Sequence, residues 1–253
     1  MIVARSLLFN FWFFGLTTLM TFGTLPLRAF APHRALAYAR VWAGLMLGGL
    51  RVLCGIRYEV TGLEHLPPTG PALIAAMHQS AFDTIVWEVL APRFAIVLKK
   101  ELTRIPLFGA MLRTTGMIAV DRDGGAAAVR GMLRDADRAV AEGRQILIFP
   151  EGTRVAPGVR APLQPGVAAL AARTGLPVIP VVTDSGRYWG RRAFRKTPGT
   201  IRIAILPPIP PGLRREALMQ RLATVFAEGA EALGTPVDKS VGSPLGPLPL
   251  QAS

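Results

Sequence analysis

The sequence predicts an α/β layered domain, built on a mixed, largely parallel sheet flanked by helices and preceded by an N-terminal helical arm. Three observations carry that prediction. From Arg57 onward, short apolar runs alternate with amphipathic segments, the pattern of strands separated by helices. Before Arg57 the chain is instead apolar over long stretches, and Ser6 to Leu27 contains no charged residue. The composition suits a packed core: 51% of the 253 residues are hydrophobic and 18% charged, which excludes a disordered chain.

The first element is the uncharged run SLLFNFWFFGLTTLMTFGTLPL. Its 22 residues are enough to span a bilayer as a helix, and Arg5, Arg28 and Arg34 flank it. A second apolar stretch, Ala35 to Ile56, is broken by Arg40 and Arg51. They lie 11 residues apart, about three helical turns, so they share one face. That spacing predicts an amphipathic interfacial helix, joined to the first as a hairpin through Pro26–Pro32. Residues 1–56 are therefore read as a membrane-binding helical arm. A cleaved signal peptide, with Ala29-Phe30-Ala31 as its cleavage site, is the rival reading. It fits less well, because the apolar region is long, few charges precede it, and cleavage would leave Pro32 first.

In the following domain, 57–234, strands are expected at Ala72–Met77, Phe94–Leu98, Ile118–Val120, Gln145–Phe149, Val178–Val182 and Thr200–Leu206. The clearest helix is Ala126–Ala141, where Val129, Met132, Leu133, Ala136 and Val140 share a face. Pro162–Arg173 and Arg214–Leu233 are the other long helix candidates. All of these elements lie after the arm, so the domain core is expected to fold without it. Residues 235–253, rich in Pro, Gly and Ser, read as a flexible tail.

The formal net charge is +13, from 29 Lys and Arg against 16 Asp and Glu. Such an excess suits an anionic partner. Nucleic acid is not expected, because no basic run is interleaved with aromatics and the mean hydropathy is +0.37. One Cys excludes an internal disulfide framework, and three His do not suggest a histidine-built metal site. No metal or cofactor is expected.

Three segments could carry chemistry. In the first, the strand Ala72–Met77 runs straight into His78-Gln-Ser-Ala-Phe-Asp83. On one continuous helix His78 and Asp83 would be badly phased. With His78 in a turn and Asp83 in the first helical turn, an imidazole–carboxylate bond becomes feasible. Ser80 could cap that helix. The alternative is a capping His and a surface Asp. In the second, Gln145–Phe149 runs into Pro150-Glu-Gly-Thr-Arg154. Glu151, Thr153 and Arg154 emerge together, Gly152 permits close backbone approach, and Arg154 offers a planar fork suited to phosphate. A loop salt bridge between Glu151 and Arg154 is the alternative. In the third, Lys99 and Lys100 are half of the chain's four lysines, and Gly116–Arg122 follows. Lys99–Lys100 and Arg122 are candidates for a phosphate pocket, or solvated charges.

His78-x4-Asp83, the Asp121-Arg122 block, Phe149-Pro-Glu-Gly-Thr-Arg154 and Val178-Ile-Pro-Val-Val182 stand in the order of the four blocks of the glycerolipid acyltransferases. The chain resembles that family from about Arg57 to Pro210, and within it the bacterial 1-acyl-sn-glycerol-3-phosphate acyltransferases. The resemblance implies transfer of an acyl group from acyl-CoA or acyl carrier protein to the 2-hydroxyl of lysophosphatidic acid. His78 would be the general base and Asp83 its orienting partner. Lys100, Arg122 and Arg154 would hold the glycerol phosphate, Glu151 would order the Arg154 loop, Thr153 would accompany them, and Gly152 would let the phosphate close. Met77 stands where many members carry Asn, a departure that bears on a local hydrogen bond and not on the base. The cluster Arg187, Arg191, Arg192, Arg195 and Lys196 is read as a lipid-facing loop or as solvated charge. Charges following Ser6–Leu27 predict a catalytic domain on the cytoplasmic side of the inner membrane. The rivals are an acyltransferase acting on another lysolipid, such as lyso-ornithine lipid, and a non-catalytic membrane-binding protein of the same fold.

Overall fold

The computed structural model describes residues 1–91, 93–121 and 124–236. Pro92, Arg122, Asp123 and residues 237–253 lie outside the described residues, and with them most of the predicted tail. Two apolar helices, α1 (Ile2–Phe30) and α2 (Ala35–Gly49), open the chain as a hairpin, and a π-helical turn, Leu50–Cys54, extends α2. The turn sits at Ala31–Arg34 rather than at Pro26, which α1 accommodates within its length. Three cross-hairpin bonds use groups that would be costly to leave unpaired in an apolar setting. Tyr38 Oη donates to the Met20 carbonyl (2.8 Å), Trp42 Nε1 to Thr17 Oγ1 (3.1 Å) and Trp12 Nε1 to the Leu45 carbonyl (3.2 Å).

Among the described residues, seven strands follow: β1 (Ile56–Thr61), β2 (Ala72–Ala76), β3 (Phe94–Lys99), β4 (Ile118–Val120), β5 (Gln145–Ile148), β6 (Val178–Thr183) and β7 (Gly199–Ile205). Between and after them run α3 (Phe82–Leu90), α4 (Phe108–Thr114), α5 (Gly125–Ala141), α6 (Gly166–Thr174) and α7 (Arg215–Ala232). One sheet holds all seven strands in the order β1-β7-β6-β2-β5-β3-β4. Every neighbouring pair is parallel except β6–β7. The sheet is thus mixed and largely parallel, as the alternation of apolar runs and amphipathic segments predicts. β1 was not among the strands expected. Its sequence IRYEVT mixes charged with apolar residues because one face is exposed, and its first residue, Ile56, comes from the stretch read as arm.

Side-chain alternation along β2 shows how the layers form. Ala72, Ile74 and Ala76 belong to one buried cluster, Leu73, Ala75 and Met77 to the other. The second cluster is closed by α5, α6 and α7, through residues such as Met132, Leu170 and Phe226. The first is closed by α3 together with the N-terminal hairpin: Phe9, Ala43, Met46 and Leu50 are buried in the same cluster as Trp87, Trp189 and Ile203. The expectation of a core complete without the arm is therefore corrected, because the arm is one of the covering layers of the sheet.

Polar contacts fasten that layer. Ser6 Oγ accepts the Lys196 N–H (2.9 Å), while within the arm Arg5 Nε donates to the Leu53 carbonyl (2.7 Å) and ties its two ends together. Lys196 is buried, bonds Asn10 Oδ1 through its ammonium, and lies 5.3–5.7 Å from the ring centroids of Phe9, Trp189 and Phe194. It is thus a buried anchor for the arm, not part of the lipid-facing or solvated cluster expected from the sequence. On α3, burial pushes the Glu88 carboxyl up to about 7, opposed by Arg40 of α2.

Candidate active site

The strands β6, β2, β5, β3 and β4 are adjacent and mutually parallel, so their carboxyl ends meet along one edge of the sheet. Ligand crevices of open α/β sheets form at such an edge. The sequence segments singled out above occupy it one strand at a time. His78 follows β2, Glu151–Arg154 follow β5, Lys100 follows β3 and Asp121 follows β4. Because β5 inserts between β2 and β3, residues 73 apart in sequence touch: the His78 backbone N–H donates to Glu151 Oε2 (2.6 Å).

The turn between β2 and α3 brings His78 and Asp83 together, with His78 Nδ1 3.2 Å from Asp83 Oδ2. The same oxygen accepts the Gln79 and Ser80 backbone N–H groups, each at 2.7 Å. Ser80 Oγ accepts the Phe82 N–H (3.1 Å) and so helps to start α3. Asp83 is buried, whereas the imidazole keeps 14% of its surface exposed. An ionised carboxylate only accepts hydrogen bonds, so this pairing puts the ring proton on Nδ1 and leaves a lone pair on Nε2. The Phe149 ring stacks on the imidazole, 4.1 Å between centroids at 12°, which fixes its plane.

Glu151 is buried. Desolvation pushes its carboxyl from an ordinary 4.5 up to about 8, partly offset by the His78 N–H and reinforced by the charge of Asp83. Between those values the folded protein holds a proton that the unfolded chain has released, so this group makes stability fall as pH rises through that window. Glu151→Gln keeps an acceptor for the His78 N–H and cannot ionise. Its melting temperature relative to wild type should climb from about pH 5 to about pH 8, and a pH-independent difference in thermal melts would count against the buried carboxyl.

The phosphate candidates are arranged less tightly. Gly152 has φ +70, and a Cβ there would come within 3.2 Å of Gln164 Cγ, so the turn needs glycine. Thr153 is exposed and Arg154 half-buried; the Glu151–Arg154 bridge does not form, and Arg154 has no ion pair among the described residues. Glu151 instead ties its loop to His78. Lys100 is half-exposed, its ammonium 3.3 Å from Asp121 Oδ2. Arg122 lies outside the described residues. Two contributions were not foreseen: the stacking of Phe149, which opens the Phe149–Arg154 block, on the imidazole, and that of Gln79, whose buried Oε1 accepts the Gly186 N–H (3.0 Å) and joins the His78 turn to the loop after β6. Met77 is buried among the side chains of the α5–α7 layer.

Residues 57–184 match the family model described as Acyltransferase. The chain belongs to the acyltransferase family. It is 34% identical over 206 residues to a 1-acyl-sn-glycerol-3-phosphate acyltransferase of Pseudomonas aeruginosa, covering 80% of both chains. It is 33% identical over 194 residues to the alpha form of that enzyme from Bos taurus, 73% of this chain and 68% of the relative. Its fold is shared with the crystal structure of the 1-acyl-sn-glycerophosphate (LPA) acyltransferase PlsC from Thermotoga maritima. That match has a TM-score of 0.75 at 24% identity and covers 94% of this chain and all of the other. This acyltransferase thus keeps the family's sheet and helical layers along nearly its whole described length.

Proposed function

We propose that this acyltransferase moves an acyl group from acyl-CoA or acyl carrier protein to the 2-hydroxyl of lysophosphatidic acid, giving phosphatidic acid. The observation that carries the reading is the His78–Asp83 pair, 3.2 Å apart at the carboxyl edge of the sheet, in a chain whose relatives bear that activity in their names. His78 Nε2 takes the proton of the 2-hydroxyl as its oxygen attacks the thioester carbonyl. The C–O bond forms, the C–S bond breaks, and the imidazolium returns its proton to the departing thiolate. Asp83 holds the Nδ1–H and stabilises the transient positive ring. A thioester is already activated, so no acyl-enzyme is needed.

Arg154, Lys100 and Arg122 would gather the acceptor's phosphate, with Gly152 and Thr153 admitting it to the β5 turn. The exposed apolar side chains of the arm, Phe11, Phe14, Leu19, Phe22 and Phe30 among them, would hold the enzyme in the leaflet that contains its acceptor. Ile2–Phe30 and Pro32–Cys54 are each long and apolar enough to cross a bilayer. The hairpin also covers the sheet, which favours an arm lying along the interface with its outer face in lipid. Arg28 and Arg34 favour the cytoplasmic face of the inner membrane, where acyl thioesters are made.

The phosphate assignment has its own test. Losing one partner of a charge-assisted bond costs about 1.5–3 kcal/mol, so Arg154→Ala should cut kcat/KM for lysophosphatidic acid roughly ten- to two-hundredfold. Lys100→Ala should fall at the low end, since Lys100 is half-exposed and paired with Asp121. Neither change should matter for a phosphate-free lysolipid. Equal losses with both acceptors would mean that the two residues serve the fold, and a wild type that prefers lyso-ornithine lipid would replace the acceptor named here.

A further inference from the structure

A second basic site lies on the same edge of the sheet, away from His78. β1 and β7 run against β6, so their starts, paired as Ile56 with Gly199, sit at the edge where β6 and β2 end. Three strand spacings, about 14 Å, separate β1 from β2. There, a cavity of about 410 Å³ is lined by Arg51, Val52, Gly55, Arg57, Gly199 and Thr200. Neither Arg51 nor Arg57 has a carboxylate partner among the described residues, and both are exposed. Gly55, at φ +69, carries no side chain to fill the space, and Arg5 Nη2 comes within 3.1 Å of where its Cβ would stand. Arg51 and Arg57 thus line the cavity at the junction of arm and sheet, and the Arg5 guanidinium approaches Gly55 on its wall.

The neighbourhood indicates what such a site would hold. Val52, on the cavity wall, is 76% exposed and continues the outward apolar face of the arm. A cationic pocket with an apolar rim, at the point where a lipid-facing helix enters the domain, suits a ligand with a phosphate head and an apolar body. We propose that the cavity between Arg51, Arg57 and Thr200 binds the phosphate of an anionic phospholipid, and so orients the enzyme on the leaflet from which it draws its acceptor. This rests on the reading of the arm as membrane-embedded. The two guanidinium groups fork onto the phosphate oxygens, the Thr200 hydroxyl can donate a further bond, and the acyl chains pass along Val52 into the leaflet. The site differs from the acceptor site in strand, in residues and in needing no reacting group.

The test is vesicle flotation of the full-length protein at physiological ionic strength. Neutral phosphatidylcholine vesicles are compared with vesicles containing phosphatidylglycerol or phosphatidic acid. The wild type should bind neutral vesicles through its arm and gain about tenfold on anionic ones. Arg51→Gln with Arg57→Gln should lose most of that gain while keeping neutral binding and an unchanged circular dichroism spectrum. Arg214→Gln with Arg215→Gln, the same charge removed from the exposed start of α7, should keep the gain. An anionic gain retained without Arg51 and Arg57, or lost equally in the α7 variant, would overturn the site. Failure of the wild type to bind neutral vesicles would instead overturn the reading of the arm. Thermal melts with inorganic phosphate separate the two phosphate sources. A phosphate-induced shift lost in the Arg51/Arg57 variant, beside an unchanged vesicle gain, would assign the cavity to a soluble phosphate and overturn the lipid headgroup.

Discussion

Replacing His78 with Ala is expected to lower kcat for acyl transfer by about 10²–10⁴-fold, the usual contribution of a positioned general base. The fold should survive. The His78 N–H that bonds Glu151 belongs to the backbone and remains, and Asp83 keeps the Gln79 and Ser80 N–H groups that hold its buried charge. Asp83→Asn should cost activity of similar order for a different reason: an amide can donate to Nδ1, which moves the ring proton to Nε2 and blocks the base. Steady-state kinetics with purified variants, beside thermal melts, read both effects. A His78→Ala enzyme that keeps more than about a hundredth of wild-type kcat would remove His78 from the role of base.

Deleting residues 1–55 should leave an insoluble or molten protein. Phe9, Met46 and Leu50 are fully or almost fully buried against the sheet. At about 1.5–3 kcal/mol each, their burial contributes about 5–9 kcal/mol, comparable with the whole net stability of a typical domain. The deletion would also bare Trp87, Trp189 and Ile203 and leave the Lys196 ammonium without Asn10 and Phe9. Expression of the truncated chain with near-ultraviolet circular dichroism and a melting curve decides the matter. A soluble product with a cooperative melt would show that the sheet needs only α3 on that face. A milder variant, Phe9→Ala, should lower stability by about 3–5 kcal/mol without removing the arm's outward apolar face.

The sequence made some of these features legible and hid others for physical reasons. The His78–Asp83 geometry could be anticipated, because a five-residue spacing works only across a strand-to-helix turn, and the apolar run Ala72–Met77 marks the strand. The alternation of apolar and amphipathic segments was enough for the layered fold. The role of the arm was hidden because a helix that is apolar all round carries no mark of which side meets protein and which meets lipid. Phe9 is fully buried and Phe11 is 71% exposed, yet they are the same residue type two positions apart. The contact of Glu151 with the His78 N–H was hidden too, because it depends on β5 inserting between β2 and β3, and strand order is not written in local pattern. Its local neighbour Arg154 looked the more natural partner. Lys196 looked lipid-facing or solvated inside a basic run, and only the docking of Phe9, Trp189 and Phe194 around it reveals a buried cation.

The central claim is the reaction itself, and regiochemistry tests it most directly. Full-length enzyme is supplied with 1-acyl lysophosphatidic acid and an isotope-labelled acyl thioester, once as the CoA ester and once on acyl carrier protein, and the lipid product is mapped by tandem mass spectrometry. The account predicts phosphatidic acid with the labelled chain at the 2-position, from at least one donor, and loss of that product in His78→Ala. Labelled acyl groups released only as free fatty acid, or no labelled phosphatidic acid with either donor, would contradict it.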